Sequence, residues 1–485
     1  MSTTGLGAIV VGGGIGGLGS ALALARAGHR VTLLERDPLP ATADPGEAFR
    51  VERRGAPQSH QTHGFLARLQ VLLRDRFPDV MDDLQALGCT TMSSTANLGE
   101  PQPGDEDLAV LIVRRTTLDF VLRRAVLAQP GIEVRSGVAV TGLVADPADP
   151  VAEAAGGPPT VRGVRVRGGG VLEADLVVVA GGRRSPLPAW LADIGVTIPE
   201  VVVESGLMYF TRWYRFPEGP QSLEDPKLGG DLGYVKFLGV PGDGETLSVT
   251  LAVRTRDRRL RAALAADDRF DLACRLLPGP DGFFADGPLE PLTEVMPMTG
   301  LLNRLRRFVD DGGRPLVAGV HGVGDAHTCT NPLYGRGCTL AMVQAVLLAD
   351  ALADHPDDPV ARAAAYEAAC AREVEPWYHQ AVEFDRAGAD PTGRGRRAGL
   401  AGSEQGRAMA AVFAAAATDP VIGRALVRSW NLLATPAELM SDTEVMTRMA
   451  EVMAHPEDYP LPAPVGPTRE ALLGALAIPE EALHA

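Results

Sequence analysis

Cysteine is scarce in this sequence: five residues in 485, Cys89, Cys274, Cys329, Cys338 and Cys370, with no CxxC and no paired spacing. That excludes a disulfide framework and a structural zinc site. The nine histidines are scattered, and His60 and His63 are too isolated to build a metal centre. No run of eighteen apolar residues is free of charge, so no membrane-spanning helix is expected. The opening MSTTGLGAIVVGGG lacks the basic segment of a signal peptide and enters a strand almost at once, so a cytoplasmic location is expected. Lysine is nearly missing, with only Lys227 and Lys236, and the net charge is −15. Nucleic acid and anionic lipid are therefore disfavoured as partners, because their phosphates would be repelled. What is present, 46% hydrophobic and 22% charged residues, is a globular composition in a chain long enough for two or three domains.

The order of apolar runs predicts an α/β protein. AIVV (8–11) flows into GGGIGG, then an Ala/Leu helix, then the strand VTLLER, a compact strand–turn–helix–strand unit. Residues 40–60 carry Arg50, Arg53 and Arg54 and read as an ordered loop whose charges are solvated. Residues 65–88 have helical periodicity broken near Pro78, and TTLDFVLRRAVLAQ from 116 is an amphipathic helix. A small β-meander is expected over 146–170, followed by the fully apolar strand of EADLVVVAGG. From 200 to 300, LMYFTRWYRF, LGYVKFLGV and ETLSVTLAV alternate as strands of an antiparallel sheet, with RLRAALAADDRFDLACRLL as a helix beside it. PLVAGVHGVGDA returns to the strand-then-glycine theme, CTLAMVQAVLLADALADH is a long helix, and the remainder is Ala-rich helix with Pro breaks. The expected division is a discontinuous Rossmann-type domain (1–199 and 312–365), an antiparallel β-sheet domain (200–311) and C-terminal helices (366–485).

Two motifs carry chemistry. Gly12, Gly14 and Gly17 form a GxGxxG between strand and helix: the first permits a tight turn, the second lets backbone approach a pyrophosphate, and the third lets helix and strand touch. The helix N-terminus offers free N–H groups and partial positive charge to that phosphate. Glu35, ending the next strand, can accept hydrogen bonds from both adenosine ribose hydroxyls. The second motif, GVGDAHTCTNPLYGRGCTLAM, follows an apolar strand with Gly324 and Asp325, turns at Asn331-Pro332, and reaches Gly335 and Gly337 before a long helix. A single carboxylate there suits a polyol, and a helix start suits an electron-rich ring. The pair suits a flavin.

These segments resemble the single-component FAD-dependent aromatic hydroxylases of the p-hydroxybenzoate hydroxylase fold, and more specifically the actinobacterial branch that includes polyether epoxidases. The likeness covers most of the chain and rests on GGGIGG with Glu35, GAPQSHQTHGFLARLQVLL, RRTTLDFVLRRA, DLVVVAGGRRSPLPAWLADIG, ESGLMYFTRWYR and GDAHTCTNPLYGRGCTLAM. It implies that Gly12, Gly14 and Gly17 cradle the pyrophosphate and that Glu35 with Arg36 holds the adenosine. It implies that Val140 meets the adenine through its backbone, Asp325 binds the ribityl chain, and Gly335 to Cys338 line the isoalloxazine. Arg115 has two readings, a contact to the ribityl or pyrophosphate region and a surface arginine at a helix start. The implied reaction is oxygen transfer from a flavin C4a-hydroperoxide to a hydrophobic small molecule, with molecular oxygen as co-substrate. It requires no side-chain nucleophile or acid–base dyad, and none is assigned. His327, Asn331 and Tyr334 are candidates by position only.

Two departures bear on the electron donor. Where the hydroxylases carry Asp-Gly, linked to FAD and NADPH binding, this chain has Gly181-Gly182-Arg183, which leaves open whether NAD(P)H or a separate flavin reductase reduces the flavin. Where the branch shows Arg-His-x-His, this chain has His60-Gln61-Thr62-His63, and His63 reads as a packing residue. A halogenase is excluded, since its catalytic lysine and Trp-x-Trp-x-Ile-Pro segment are missing. A double-bond reductase and a non-redox cyclase that keeps FAD remain as alternatives. Tyr209, Phe210, Trp213, Tyr214, Tyr234 and Phe237 are expected to wall an apolar substrate pocket, and RAMAAVFAAAA with VIGRALVRSWNLL to cover either its entrance or a dimer face.

Overall fold

The computed structural model describes residues 5–146, 157–216, 229–285, 289–388, 404–460 and 465–477; Lys227 lies outside them. Its centre is a five-stranded parallel sheet in the spatial order Val320–Gly322, Leu176–Val179, Gly7–Val11, Arg30–Glu35, Ile132–Ser136. One edge strand thus comes from more than a hundred residues beyond its neighbour. Side-chain alternation divides the sheet between two cores. Ala8, Val10, Leu33, Leu176 and Val178 face helices, while Ile9, Leu34, Val177 and Val179 face the three-stranded meander Val140–Ala145, Val161–Val166, Val171–Glu173. Strands buried on both faces must be apolar at every position, which is why LVVV has no polar residue.

On the helical face, Ile15–Arg26 packs against Gly337–Asp354. The chain positions match in the same direction, Gly16 to Ala341 and Gly19 to Met342 and Ala345, so the helices run parallel. A methyl group on Gly19 would meet Met342 Sδ at 2.4 Å, so the close approach depends on its missing side chain. The consequence for function is that both helix N-termini open on the same side. Helix Gly337–Asp354 is long and apolar enough in composition to cross a membrane, yet 72% of it is buried inside the protein. Helix Arg115–Ala128 completes this layer, and the region before it forms two helices, Ala67–Arg76 and Pro78–Ala86, split at the proline as expected.

The second sheet is antiparallel, with Leu207–Arg215 paired to Thr246–Arg254 through nine positions and Val235–Gly242 beyond it. Met208, Phe210 and Tyr214, with Leu247, Val249, Leu251 and Val253, bury one face against helices. Those helices are Arg258–Leu264 and Asp267–Leu276, two where the sequence suggested one. The break has an electrostatic cause. Asp267 and Asp268 favour the first turn of a new helix, where the dipole is positive. Asp267 is fixed there by Arg212 at 2.9 Å and by the Val295 N–H at 2.9 Å. A further sheet joins Glu200–Glu204, Leu302–Arg306 and Thr328–Cys329.

A buried anchor ties the antiparallel sheet to the helical layer. Asp243, in the turn of the 235–254 hairpin, accepts from Arg114 N at 2.7 Å, from Arg114 Nη2 at 2.7 Å and from Thr117 Oγ1 at 2.8 Å. Helices Glu404–Ala415, Pro420–Trp430 and Thr443–Ala454 share a small core of their own.

Candidate functional site

A cavity of about 750 Å³ lies between the parallel sheet, the two helix N-termini and the free face of the antiparallel sheet. Gly12, Gly14, Glu35, Arg36, Arg115, Val140, Gly324, Asp325, Gly335, Gly337 and Cys338 all line it, although the sequence places them over three hundred residues apart. Gly17 does not line it. A methyl group there would sit 1.7 Å from Gly12 O, so its absence lets the turn close. Gly12 itself has φ +110°, and a side chain would come within 2.5 Å of Ala180 O. Gly14 is the reverse case: extended backbone and nothing within 4 Å of where a Cβ would stand. No described protein atom excludes a side chain there.

Glu35 is buried and already engaged: one oxygen accepts from Gly13 N at 2.6 Å and Arg53 Nη2 at 3.3 Å, the other from Asp37 N at 2.8 Å. A carboxylate offers about four acceptor positions, so capacity for a ribose hydroxyl remains. Arg53 corrects the sequence reading of a solvated charge. It is 8% exposed, lines the cavity, and is ion-paired with Glu35 because the 40–60 segment folds back over the end of strand Arg30–Glu35. Its Nε and Nη1 have no partner among the described residues, an uncommon state for buried donors. Arg54 and Arg36 are exposed at the cavity mouth.

Arg115 is not a surface residue: it is 6% exposed, and it donates to Asp119 Oδ2 at 3.1 Å and to Cys338 Sγ at 2.9 Å. Asp325 is held on a 3₁₀ turn whose Gly324 N–H donates to Gln344 Oε1 at 2.7 Å. Burial pushes its carboxyl above the usual range, against the pull of Arg183 and Arg115. Cys338 and Cys329 are likewise pushed up by burial and stay thiols. His63 is lowered to about 4 by burial and by Arg115, so it is neutral at ordinary pH; its ring stacks on Phe65, and the residue also lines the cavity.

The positional candidates separate. His327 points away from the cavity, stacking on Phe308 with Nε2 3.3 Å from Glu367. Asn331 is fully buried and structural in its contacts, accepting from Tyr209 OH at 2.6 Å and Leu333 N at 3.2 Å. Tyr334 lines the cavity. Of the expected aromatic wall, Tyr209 faces the cavity; Phe237 borders it, but its ring joins Phe210 and Tyr214 in the core against the helices behind the sheet. Trp213 donates to His60 O at 2.6 Å and Tyr234 to Pro467 O at 2.8 Å. In their place the sheet offers a polar strip that residue-type reasoning missed. Thr211 Oγ1 lies 2.7 Å from Gln61 Oε1 and 2.5 Å from Thr250 Oγ1, which lies 2.8 Å from Thr62 Oγ1. Thr211 donates to Gln61 Oε1 and Thr250 donates to Thr62 Oγ1, and the two strand threonines touch each other between them. Trp430 reaches the cavity from the C-terminal helices and stacks on Phe384 at 6.5 Å.

Within the described residues no group of three or more His, Cys, Asp or Glu could hold a metal ion. The site fits an extended dianionic dinucleotide: an open glycine cradle, two parallel helix N-termini, unsatisfied guanidinium nitrogens, and a carboxylate at each end. The fold is one that FAD-dependent oxidoreductases share. Residues 8–92 match the family model described as FAD dependent oxidoreductase. No curated protein matches the chain. Among solved structures, the chain is similar to PqsL of Pseudomonas aeruginosa, a probable FAD-dependent monooxygenase, with TM-score 0.58 and 18% identity over 80% of this chain and 98% of that one. It is similar to p-nitrophenol 4-monooxygenase PnpA of Pseudomonas putida DLL-E4, with TM-score 0.59 and 18% identity over 89% and 98%. It is also similar to OxyS anhydrotetracycline hydroxylase of Streptomyces rimosus, with TM-score 0.56 and 21% identity over 89% and 77%. At these identities the likeness establishes the shared fold.

Proposed function

We propose that this chain is an FAD-dependent monooxygenase that hydroxylates or epoxidises a hydrophobic small molecule. The observation that carries the reading is a single cavity with two unlike halves, one lined by Gly14, Glu35, Arg53 and Asp325, the other by Tyr209, Phe237, Trp430 and the threonine strip. The first half would hold FAD: Gly14 and the Ile15 helix start at the pyrophosphate, Glu35 at the ribose, Val140 at the adenine, Asp325 at the ribityl chain. The start of helix Gly337–Asp354 would face the ring, where its dipole favours negative charge. Bound FAD supplies two-electron reduction and the activation of oxygen; the chain supplies position, dryness and charge. Tyr209 and Trp430 would exclude water, and Thr62 and Thr250 would orient a polar group of the substrate. The division into FAD-binding segments 1–199 and 312–365 around a substrate segment 200–311, with 366–485 helical, belongs to the same reading, as does kinship with the polyether epoxidase branch.

The test is purification followed by anaerobic reduction with NADH, NADPH, or a flavin reductase, then exposure to ¹⁸O₂ with candidate apolar substrates. One labelled oxygen atom in the product supports the proposal. Product formed without oxygen would make the chain a reductase, product without flavin reduction a cyclase, and a colourless protein that refuses FAD would end the reading.

A further inference from the structure

Helix Glu375–Gly388 grips the turn before helix Gly337–Asp354 with two charged side chains, one from each side. From the turn, Arg336 is fully buried and donates to Trp377 O at 2.9 Å and to Gln380 Oε1. The rings of Tyr334, Trp377 and Phe384 surround its guanidinium at 5.2, 5.4 and 5.9 Å. From the helix, Asp385 is 8% exposed and accepts three hydrogen bonds. Tyr334 OH reaches Oδ1 at 2.7 Å, Asn331 Nδ2 reaches Oδ1 at 2.9 Å, and Asn303 Nδ2 reaches Oδ2 at 2.7 Å. Asn303 Oδ1 in turn accepts from Asn331 N at 2.8 Å, closing the circuit onto the turn's first residue.

The chemistry of this hub is restrictive. A carboxylate only accepts, so it meets donors on both oxygens at once; an asparagine in its place would aim its own N–H groups at one set of them. Removing a partner from such a buried network leaves unsatisfied groups, which cost more than a made bond contributes. Both ends of 331–334 are fixed by the hub, and Gly335, Gly337 and Cys338, immediately after it, line the cavity. Lys236, paired with Asp231, acts on Asp385 from the sheet.

We propose that Asp385 is a positioning residue for the cofactor: by locking the 331–334 turn it fixes the backbone of 335–338 against the flavin, which makes helix Glu375–Gly388 part of the flavin site. This rests on the FAD reading above. The test compares Asp385→Asn, Asp385→Glu, Asn303→Ala and, as a control, Asp271→Asn. Asp271 is a carboxylate that accepts from Tyr214 OH at 2.6 Å and Arg212 at 2.9 Å on the opposite face of the antiparallel sheet. Each protein is stripped of flavin, melted, and titrated with FAD while the visible flavin spectrum is recorded. We expect Asp385→Asn to weaken FAD binding tenfold or more with a shifted spectrum, Asp385→Glu to restore part of it, and Asn303→Ala to weaken it without touching the turn's own residues. Asp271→Asn should lower the melting temperature while binding FAD as the unaltered protein does. Wild-type affinity and spectrum in Asp385→Asn and Asn303→Ala would overturn the proposal, as would a loss of FAD by Asp271→Asn equal to theirs. If the unaltered protein binds no FAD, the functional reading itself has failed, an outcome visible before any variant is compared.

Discussion

Gly14 and Gly17 lie three residues apart in one motif, yet the structure gives them opposite reasons for being glycine, and alanine at each separates the two. At Gly14 the backbone is extended, with φ −88° and ψ −176°, and a new methyl group meets nothing within 4 Å. The apo protein should therefore tolerate Gly14→Ala to within about 0.5 kcal/mol, since the chain-entropy gain of replacing glycine roughly offsets a poorer helix cap. The methyl group instead occupies cradle space, pushing a phosphate off at least one N–H. A hydrogen bond to a charged group contributes about 1.5–3 kcal/mol, so FAD should bind roughly 10- to 150-fold more weakly. At Gly17 the methyl group would lie 1.7 Å from Gly12 O, a contact that forces helix and turn apart whether or not a cofactor is present. Overpacking of this kind costs about 1–3 kcal/mol or more, and it should appear in the apo protein. Urea unfolding of flavin-free protein and fluorescence titration with FAD read the two effects separately. The reasoning is refuted if Gly14→Ala binds FAD normally, or if it unfolds as early as Gly17→Ala.

Three further outcomes are expected. Arg53→Ala should destabilise the flavin-free protein by roughly 3 kcal/mol in urea unfolding, because it strips the cation from buried Glu35 while the two backbone N–H donors remain. Asp243→Ala should cost about 3–5 kcal/mol in the same assay, since it leaves Arg114 buried and unpaired. His321, lowered to about 3 by burial and by Arg362, is held neutral by the fold, so its contribution is intact above its ordinary 6.5 and drains as pH falls towards 3. At pH 5 that loss is about 2 kcal/mol, and His321→Leu should flatten the stability difference between pH 7 and pH 5 by this amount.

The cofactor half of the molecule was legible because its constraints are local. A glycine that must bend, an apolar run that must be buried on both faces, and an acid that ends a strand each leave a mark in a few consecutive residues, so the parallel sheet, both turns and eleven of the twelve named residues meet in one cavity, with Gly17 packed just beneath it. Arg53 and Asp385 left no such mark. Both owe their roles to partners far along the chain, Arg53 to Glu35 and Asp385 to Asn303, Asn331 and Tyr334, and an isolated arginine or aspartate reads as a solvated charge. The aromatic wall was half legible for a related reason. Alternation says that neighbours face opposite ways, but which set faces the cavity depends on which face the helices Arg258–Leu264 and Asp267–Leu276 cover.

The distribution of charge explains why cofactor and substrate differ in this respect. In a chain of net charge −15, the cavity wall carries Arg36, Arg53, Arg54, Arg183 and Arg184, with Arg53 paired to Glu35 and Arg183 acting on Asp325. A concentration of positive charge inside an acidic protein favours an anion, and the proposed FAD would supply one in its pyrophosphate. Elsewhere on the wall, Lys236 is paired with Asp231 and Asp385 is occupied by three donors, so hydroxyls and aromatic rings would meet the proposed substrate there. Recognition by charge fixes residue types and can be read from a sequence. Recognition by shape is fixed by the volume left between packed side chains, which belongs to no residue in particular, and a substrate held that way is specified only in three dimensions.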